Sequence, residues 1–228
     1  MKREDNTEDD VVLERISVDE DNLSDPKWVA KAGSRIDPIL KHLKAGDAII
    51  DKDKIRDQFI KIWDLEKGET LEDDELFLTA VALFIYTAHL ELDEHNLKVD
   101  EARNYIVEAL GEWMKPETDR MVDAEKMDAN PFKKFVDGQY EKVEQFYTWT
   151  NFLLNHKRKS DKEWTYKMKQ CWFSKFFIRF GRTDMTLTAC LFDQLPAEAR
   201  KDYVKLKLTN QFPKWGSTCT FQYTPNQG

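Results

Sequence analysis

Basic and aromatic side chains are interleaved along one stretch of the sequence, and together they could bind a polyanion. Between His156 and Arg182 the basic residues are Lys157, Arg158, Lys159, Lys162, Lys167, Lys169, Lys175, Arg179 and Arg182. Asp161 and Glu163 are the acidic residues of the same stretch. Lysine and arginine that neutralise backbone phosphates release condensed counterions, which favours nucleic-acid binding regardless of base sequence. The stretch therefore predicts a site for a phosphate backbone.

The aromatic residues of this stretch indicate how the cations would be held. They are Trp164, Tyr166, Trp172, Phe173, Phe176, Phe177 and Phe180. At about 100° per residue, a helix would separate the phenylalanine rings from Lys175, Arg179 and Arg182. The aromatic rings are then predicted to face the core, and the cations are predicted to form a stripe on the rigid helix surface. Trp164 and Tyr166 fall near its border, where they are predicted to stack on unpaired bases.

The arginines are the expected anchors of this surface, because the planar guanidinium binds phosphate through two parallel hydrogen bonds. The predicted RNA-binding residues are Lys157, Arg158, Lys159, Lys162, Trp164, Tyr166, Lys167, Lys175, Arg179 and Arg182. A solvated helix face, with lysine stems lying over the rings, explains the same residues without any ligand. A third interpretation is an α-helical adaptor or regulatory protein that binds an acidic protein partner through this patch.

Charge is distributed unevenly along the chain. The 228 residues contain 35 Lys and Arg against 43 Asp and Glu, a net charge of −8. The segment from His156 to Gly228 has 14 basic and 6 acidic residues, a net +8, so the preceding segment carries −16. Such asymmetry favours a polyanion-binding part or head-to-tail association of copies.

Several other classes of protein find no support in the residue patterns. Three widely spaced cysteines without a CxxC pair predict free thiols in a reducing compartment, the cytoplasm. There is no run of about 18 apolar residues, so no membrane span and no membrane partner is expected. Phosphate-loop, dinucleotide-binding and hydrolase-elbow motifs are absent from the sequence. No catalytic residue, metal ligand or cofactor is therefore predicted, and the chain is expected not to be an enzyme.

Helical periodicity dominates the pattern and predicts an all-α fold of about eight helices in two packed lobes. Ile55, Phe59, Ile62 and Trp63 predict an amphipathic helix over 51–67. A helix over 71–92 is apolar almost all round from Leu76 to Ala88, which is typical of a central helix.

The predicted organisation has four parts. Residues 1–26 form an acidic, flexible N-terminal arm, and 27–155 an acidic helical lobe. Residues 156–212 form a basic helical lobe with helices over 161–180 and from Pro196 to Phe212. Residues 213–228 form an irregular, flexible C-terminal arm.

Phe180-Gly181-Arg182-Thr183-Asp184, after the basic and aromatic segment, resembles a stretch of the coat proteins of flexible filamentous plant viruses. The layout of arm, lobes and arm also resembles helical viral nucleocapsid proteins. The resemblance implies an α-helical capsid subunit that binds single-stranded RNA in a basic groove, with Arg182 at the groove. An acidic partner of that arginine would be Asp193 or Asp202.

The sequence thus predicts a non-enzymatic, single-stranded RNA-binding protein of the viral coat or nucleocapsid type. It would form a homo-oligomer through its terminal arms and occur in the cytoplasm or in a virion.

Overall fold

A computed structural model describes residues 26–226. Five helices account for most of the first 146 residues: α1 (Pro26–Leu40), α2 (Lys52–Leu65), α3 (Asp73–Glu94), α4 (Val99–Lys126) and α5 (Pro131–Phe146). Side-chain caps fix two of their starts. Asp51 accepts a hydrogen bond from the amide of Lys54 before α2, and Asn130 accepts one from the amide of Lys133 before α5.

Helix α3 is the central helix that the apolar pattern predicts. Twelve of its 22 residues are buried, and it packs against α2, α4 and α5. By length and composition it could cross a membrane, but 72% of its apolar window is buried inside the fold. Helices at the centre of a fold are apolar on all sides, so burial inside the fold accounts for the apolar composition of α3.

A four-stranded antiparallel sheet forms the other layer of the fold. Its strands are β1 (Leu154–Lys159), β2 (Trp164–Met168), β3 (Val204–Thr209) and β4 (Cys219–Pro225), in the spatial order β1-β2-β4-β3. Along β4, Cys219, Phe221 and Tyr223 are buried while the residues between them are partly exposed. The inner face meets α5, where the Phe135 ring lies 5.5 Å from Tyr223 and 6.3 Å from Trp164.

The prediction of an all-α fold is wrong. The predicted helix over 161–180 is strand β2 followed by α7 (Trp172–Arg179), after the short α6 (Trp149–Phe152). The predicted helix from Pro196 to Phe212 is the short α9 (Leu195–Glu198) and then β3, preceded by α8 (Thr186–Phe192). In β2 and β3, apolar and polar residues alternate with a period of two, which suits a sheet with one buried face.

The structure tests the prediction for the C-terminal arm but not the prediction for the N-terminal arm. The predicted C-terminal arm contains β4, which is an inner strand paired with both β2 and β3. This segment is therefore not flexible, and exchange between copies would break two ladders of hydrogen bonds. The predicted N-terminal arm lies outside the described residues, apart from Pro26.

Candidate ligand-binding cavity

The predicted RNA-binding residues do not share one helix or one stripe. Lys157, Arg158 and Lys159 lie on β1, Lys162 lies in the following turn, and Trp164, Tyr166 and Lys167 lie on β2. Lys175 and Arg179 lie on α7, and Arg182 follows it. Trp164 is 0% and Tyr166 2% exposed. Their rings are core, so neither has a face open to a nucleobase.

Most of the predicted anchors pair with acidic side chains of the same chain. Arg179 binds Glu66 through two hydrogen bonds of 2.7 and 3.2 Å, and Arg158 lies 2.6 Å from Glu163. Lys159 lies 3.4 Å from Asp137.

Arg182 lies 2.9 Å from Asp93 and from Asp184. The partners expected for it, Asp193 and Asp202, lie elsewhere, because Asp202 pairs with Lys126 and Asp193 with Tyr147. The RNA-binding function is therefore a wrong prediction, and the acidic-partner alternative is not supported either, because the arginines of the patch pair with acidic side chains of the same chain.

A cavity lies between the inner face of the sheet and helices α3, α4, α5 and α8. It measures about 130 Å³. Its lining is mainly aromatic, with Phe77, Phe135, Phe146, Tyr147, Trp164, Tyr166, Phe192, Phe221 and Tyr223. The remaining lining residues are Met114, Glu117, Gln139, Lys142, Val143, Met168, Asp193 and Pro196. Two depressions of about 330 and 310 Å³ elsewhere in the described chain have no aromatic lining.

Asp193 is the partly buried one of the two carboxyl groups that line this cavity, whereas Glu117 is exposed. Its Oδ1 accepts a hydrogen bond of 2.5 Å from the Tyr147 hydroxyl. Among the described residues no other group donates to it, and no cation pairs with it. Burial raises the pKa of Asp193 to about 7, while the Tyr147 hydrogen bond opposes that rise.

Two helix ends hold this pair in place. Tyr147 is the C-cap residue of α5, and Asp193 is the C-cap residue of α8. The C-terminal end of a helix carries a partial negative charge on its unpaired carbonyl groups. The surroundings therefore disfavour the ionised carboxyl and favour a positive group beside it.

Tyrosine hydroxyls and thiols complete the polar interior. The hydroxyl oxygens of Tyr166 and Tyr223 lie 3.3 Å apart, and burial raises the pKa of both. Burial also raises the pKa of the free thiol of Cys171 to about 12 and that of Cys219 to about 11. These groups stay neutral near pH 7, so Asp193 is the group whose charge changes there.

The cavity opens towards solvent beside an ion pair. Lys142 Nζ hydrogen-bonds to Glu117, and the two side chains are 36% and 59% exposed. Lys142 is the one cation of the described lining. Because it is paired with Glu117 at the mouth, it leaves the Asp193 carboxyl without a counterion.

The two histidines at the C-terminal end of α3 make hydrogen bonds within the fold. His89 is buried with Nε2 2.9 Å from Thr188 Oγ1, and burial lowers its pKa to about 4. His95 Nε2 lies 3.1 Å from Glu91. In residues 26–226 no group of three or more His, Cys, Asp or Glu side chains could hold a metal ion.

The sequence matches no protein-family model and no curated protein. Two solved structures are similar to the chain. One is the Fe(II) unliganded H-NOX protein from K. algicida, with 10% identity and a TM-score of 0.35, covering 86% of this chain and 97% of that one. The other is a point mutant of that protein, with 10% identity and a TM-score of 0.31, covering 89% and 94%. Likeness of this strength carries no argument about ligands.

The resemblance to viral coat proteins is wrong. It required an all-α subunit with RNA at Arg182, whereas the chain has a four-stranded sheet and Arg182 is held by Asp93 and Asp184. The prediction of assembly through exchanged terminal arms is also wrong for the C-terminal arm, because β4 is an inner strand of the sheet.

Proposed function

We propose that this protein binds a small molecule with one aromatic or similarly apolar ring in the cavity between the sheet and α5. The observation that carries the proposal is the lining, in which eight further aromatic side chains accompany the carboxyl–phenol pair of Asp193 and Tyr147. Ligand pockets are typically apolar and aromatic, with a few polar groups that orient the ligand.

The size of the cavity sets the size of the ligand. Its volume of about 130 Å³ is close to the ~150 Å³ of an engineered apolar cavity that binds benzene. A ring of six to nine atoms with a short substituent fits this space. Filling it restores the dispersion contacts that the lining otherwise lacks.

We propose binding, rather than catalysis, as the role of this site. The described lining contains no histidine, serine, threonine or cysteine, so the cavity offers no serine, threonine or cysteine nucleophile beside a histidine base. The three cysteines are free thiols. They favour a reducing compartment, and we place the protein in the cytoplasm on that ground.

A cavity-filling substitution tests this function. Val143 is 7% exposed and lines the cavity on α5. In the wild-type protein, saturating 2-phenylethanol is expected to raise the melting temperature by about 5 °C or more, since ligand at 100 times Kd adds about 3 kcal/mol. In Val143→Phe the added ring occupies the ligand's space, so the shift is expected to disappear.

The matched control is Val99→Phe. Val99 is 42% exposed at the start of α4 and does not line the cavity. This variant is expected to keep the full thermal shift. An equal shift in Val143→Phe and in the wild type, or no shift with 2-phenylethanol, p-cresol and indole alike, would contradict the proposal.

A further inference from the structure

The inference concerns the class of ligand and rests on the proposed function. Asp193 receives a single hydrogen bond, from Tyr147, and has no counterion in the described chain. Asp193 is partly buried, and a carboxylate that has lost part of its hydration and has one donor and no counterion is poorly compensated. Asp193 lines the cavity, where a ligand can supply the charge and the donor that the protein does not.

The charge of the surroundings decides which group the ligand should present. The C-terminal ends of α5 and α8 meet at the Tyr147–Asp193 pair, and both favour a cation. Aromatic ring faces attract cations as well. Lys142, the cation of the described lining, is paired with Glu117 at the mouth. An anionic ligand would meet the carboxylate and the helix ends without compensation.

We infer that the cavity selects monocyclic aromatic amines, whose ammonium group donates to the Asp193 carboxylate while the ring packs among the aromatic side chains. The hydroxyl of Tyr147 keeps its hydrogen bond to Oδ1 and orients the carboxylate towards the ligand. In this complex the ammonium group of the ligand keeps its proton. If the Asp193 carboxyl is protonated before binding, it releases that proton to solvent.

Near neutral pH the proton that is exchanged belongs to Asp193, because the other titratable groups that face it stay neutral. They are the hydroxyls of Tyr147, Tyr166 and Tyr223 and the thiols of Cys171, Cys190 and Cys219. Burial raises the pKa of each of them, so they remain neutral. Affinity for an ammonium is therefore expected to rise about tenfold per pH unit below pH 7 and to level off above it.

Three probes of nearly equal shape test the inference in the wild-type protein: 2-phenylethylamine, 2-phenylethanol and 3-phenylpropionate. At pH 8, calorimetry is expected to show that the amine binds at least about tenfold more tightly than the alcohol, the gain of one charged hydrogen bond. The carboxylate probe is expected to bind most weakly. At pH 6, binding of the amine should release close to one proton, measured in two buffers with different ionisation enthalpies.

Asp193→Asn keeps the shape of the side chain and an acceptor for Tyr147 but removes the charge. It is expected to abolish the preference for the amine and the proton release while leaving the affinity for the alcohol within about threefold. Asp202→Asn, at an exposed carboxyl that pairs with Lys126, is the control and should keep both.

The wild-type affinities distinguish a failure of the inference from a failure of the proposed function. Equal wild-type affinity for the amine and the alcohol, or a preference for the carboxylate probe, overturns the inference and leaves the proposed function standing. Loss of binding by all three probes overturns the proposed function itself. The wild-type comparison decides even if Asp193→Asn fails to fold.

Discussion

Asp193 combines three conditions that seldom coincide in one carboxyl group. It lies at the wall of an aromatic cavity, it caps the C-terminal end of a helix, and its described partner is a neutral phenol. The first two disfavour the negative charge, whereas the hydrogen bond from the phenol favours it, and burial is the largest cause of the raised pKa. The folded protein therefore contains a group that a ligand or a proton stabilises.

The raised pKa of Asp193 makes a prediction about stability. The unfolded chain ionises this carboxyl near pH 4 and the folded chain near pH 7, so the folded state holds one more proton between those values. Stability is then lost as pH rises from 4 to 7, by on the order of 4 kcal/mol for three pKa units. Asp193→Asn removes this loss, because the amide never ionises.

Thermal unfolding of both proteins at pH 5 and pH 8 measures this effect. We expect the melting temperature of Asp193→Asn to exceed that of the wild type by much more at pH 8 than at pH 5, because about two thirds of the loss falls between these values. Other groups that titrate in this range, such as the histidines, are common to both proteins and cancel in the comparison. The same difference at both pH values would show that Asp193 is ionised throughout.

At the scale of elements, a buried ion pair joins the helical layer to the sheet. Arg200, between α9 and β3, is 1% exposed and binds Glu125 near the end of α4 through hydrogen bonds of 2.6 and 2.8 Å. Tyr203 donates a further hydrogen bond to Glu125. The pair fixes the start of β3 against α4, beside the Phe135 ring that lines the cavity.

Removing one partner of this pair is expected to be costly. Arg200→Met leaves the Glu125 carboxylate buried and uncompensated, which should lower the free energy of unfolding by about 3–5 kcal/mol in urea denaturation. The double variant with Glu125→Met should recover a large part of that loss. Lys201→Met, at a neighbour that is 73% exposed, should change it by less than about 1 kcal/mol. A small loss in Arg200→Met would mean that the pair does not hold these elements together.

The sequence predicts helices more successfully than strands in this chain. The spacing of Ile55, Phe59 and Trp63 identifies α2, and the uniformly apolar run identifies α3 as the central helix. The run Val204–Thr209 alternates apolar residues with lysines and threonine, as an edge strand does. The prediction of a helix that starts at Pro196 assigns this pattern the wrong period, and the prediction of a helix over 161–180 misses β2 for the same reason. Strand β4 lies in the segment predicted to be an irregular arm.

The cavity could not be predicted from residue patterns. Tyr147 and Asp193 are 46 positions apart and belong to no motif, so their contact exists only after α5 and α8 have packed. Trp164 and Tyr166 were recognised as important, but their alternation with polar neighbours signals the buried face of a strand. Burial, which sequence spacing does not reveal, turns these rings into a cavity lining.

For the whole molecule, the acidic body and the basic C-terminal third largely compensate each other within one chain. Arg179 pairs with Glu66, Arg182 with Asp93, and Arg200 with Glu125, each across the boundary between the two segments. A sequence-level charge asymmetry therefore does not require an external polyanion. It can stabilise the docking of a sheet-containing segment on a helical one.

The central claim, that the cavity between sheet and helices receives an aromatic ring, is tested most directly by NMR of protein labelled at the methionine methyl groups. Met114 and Met168 line the cavity, whereas Met127 is 87% exposed on the surface. We expect titration with 2-phenylethanol to shift the Met114 and Met168 methyl signals saturably through the ring current of the bound probe, with Met127 unchanged. Unchanged Met114 and Met168 signals at the solubility limit of the probe would contradict the account.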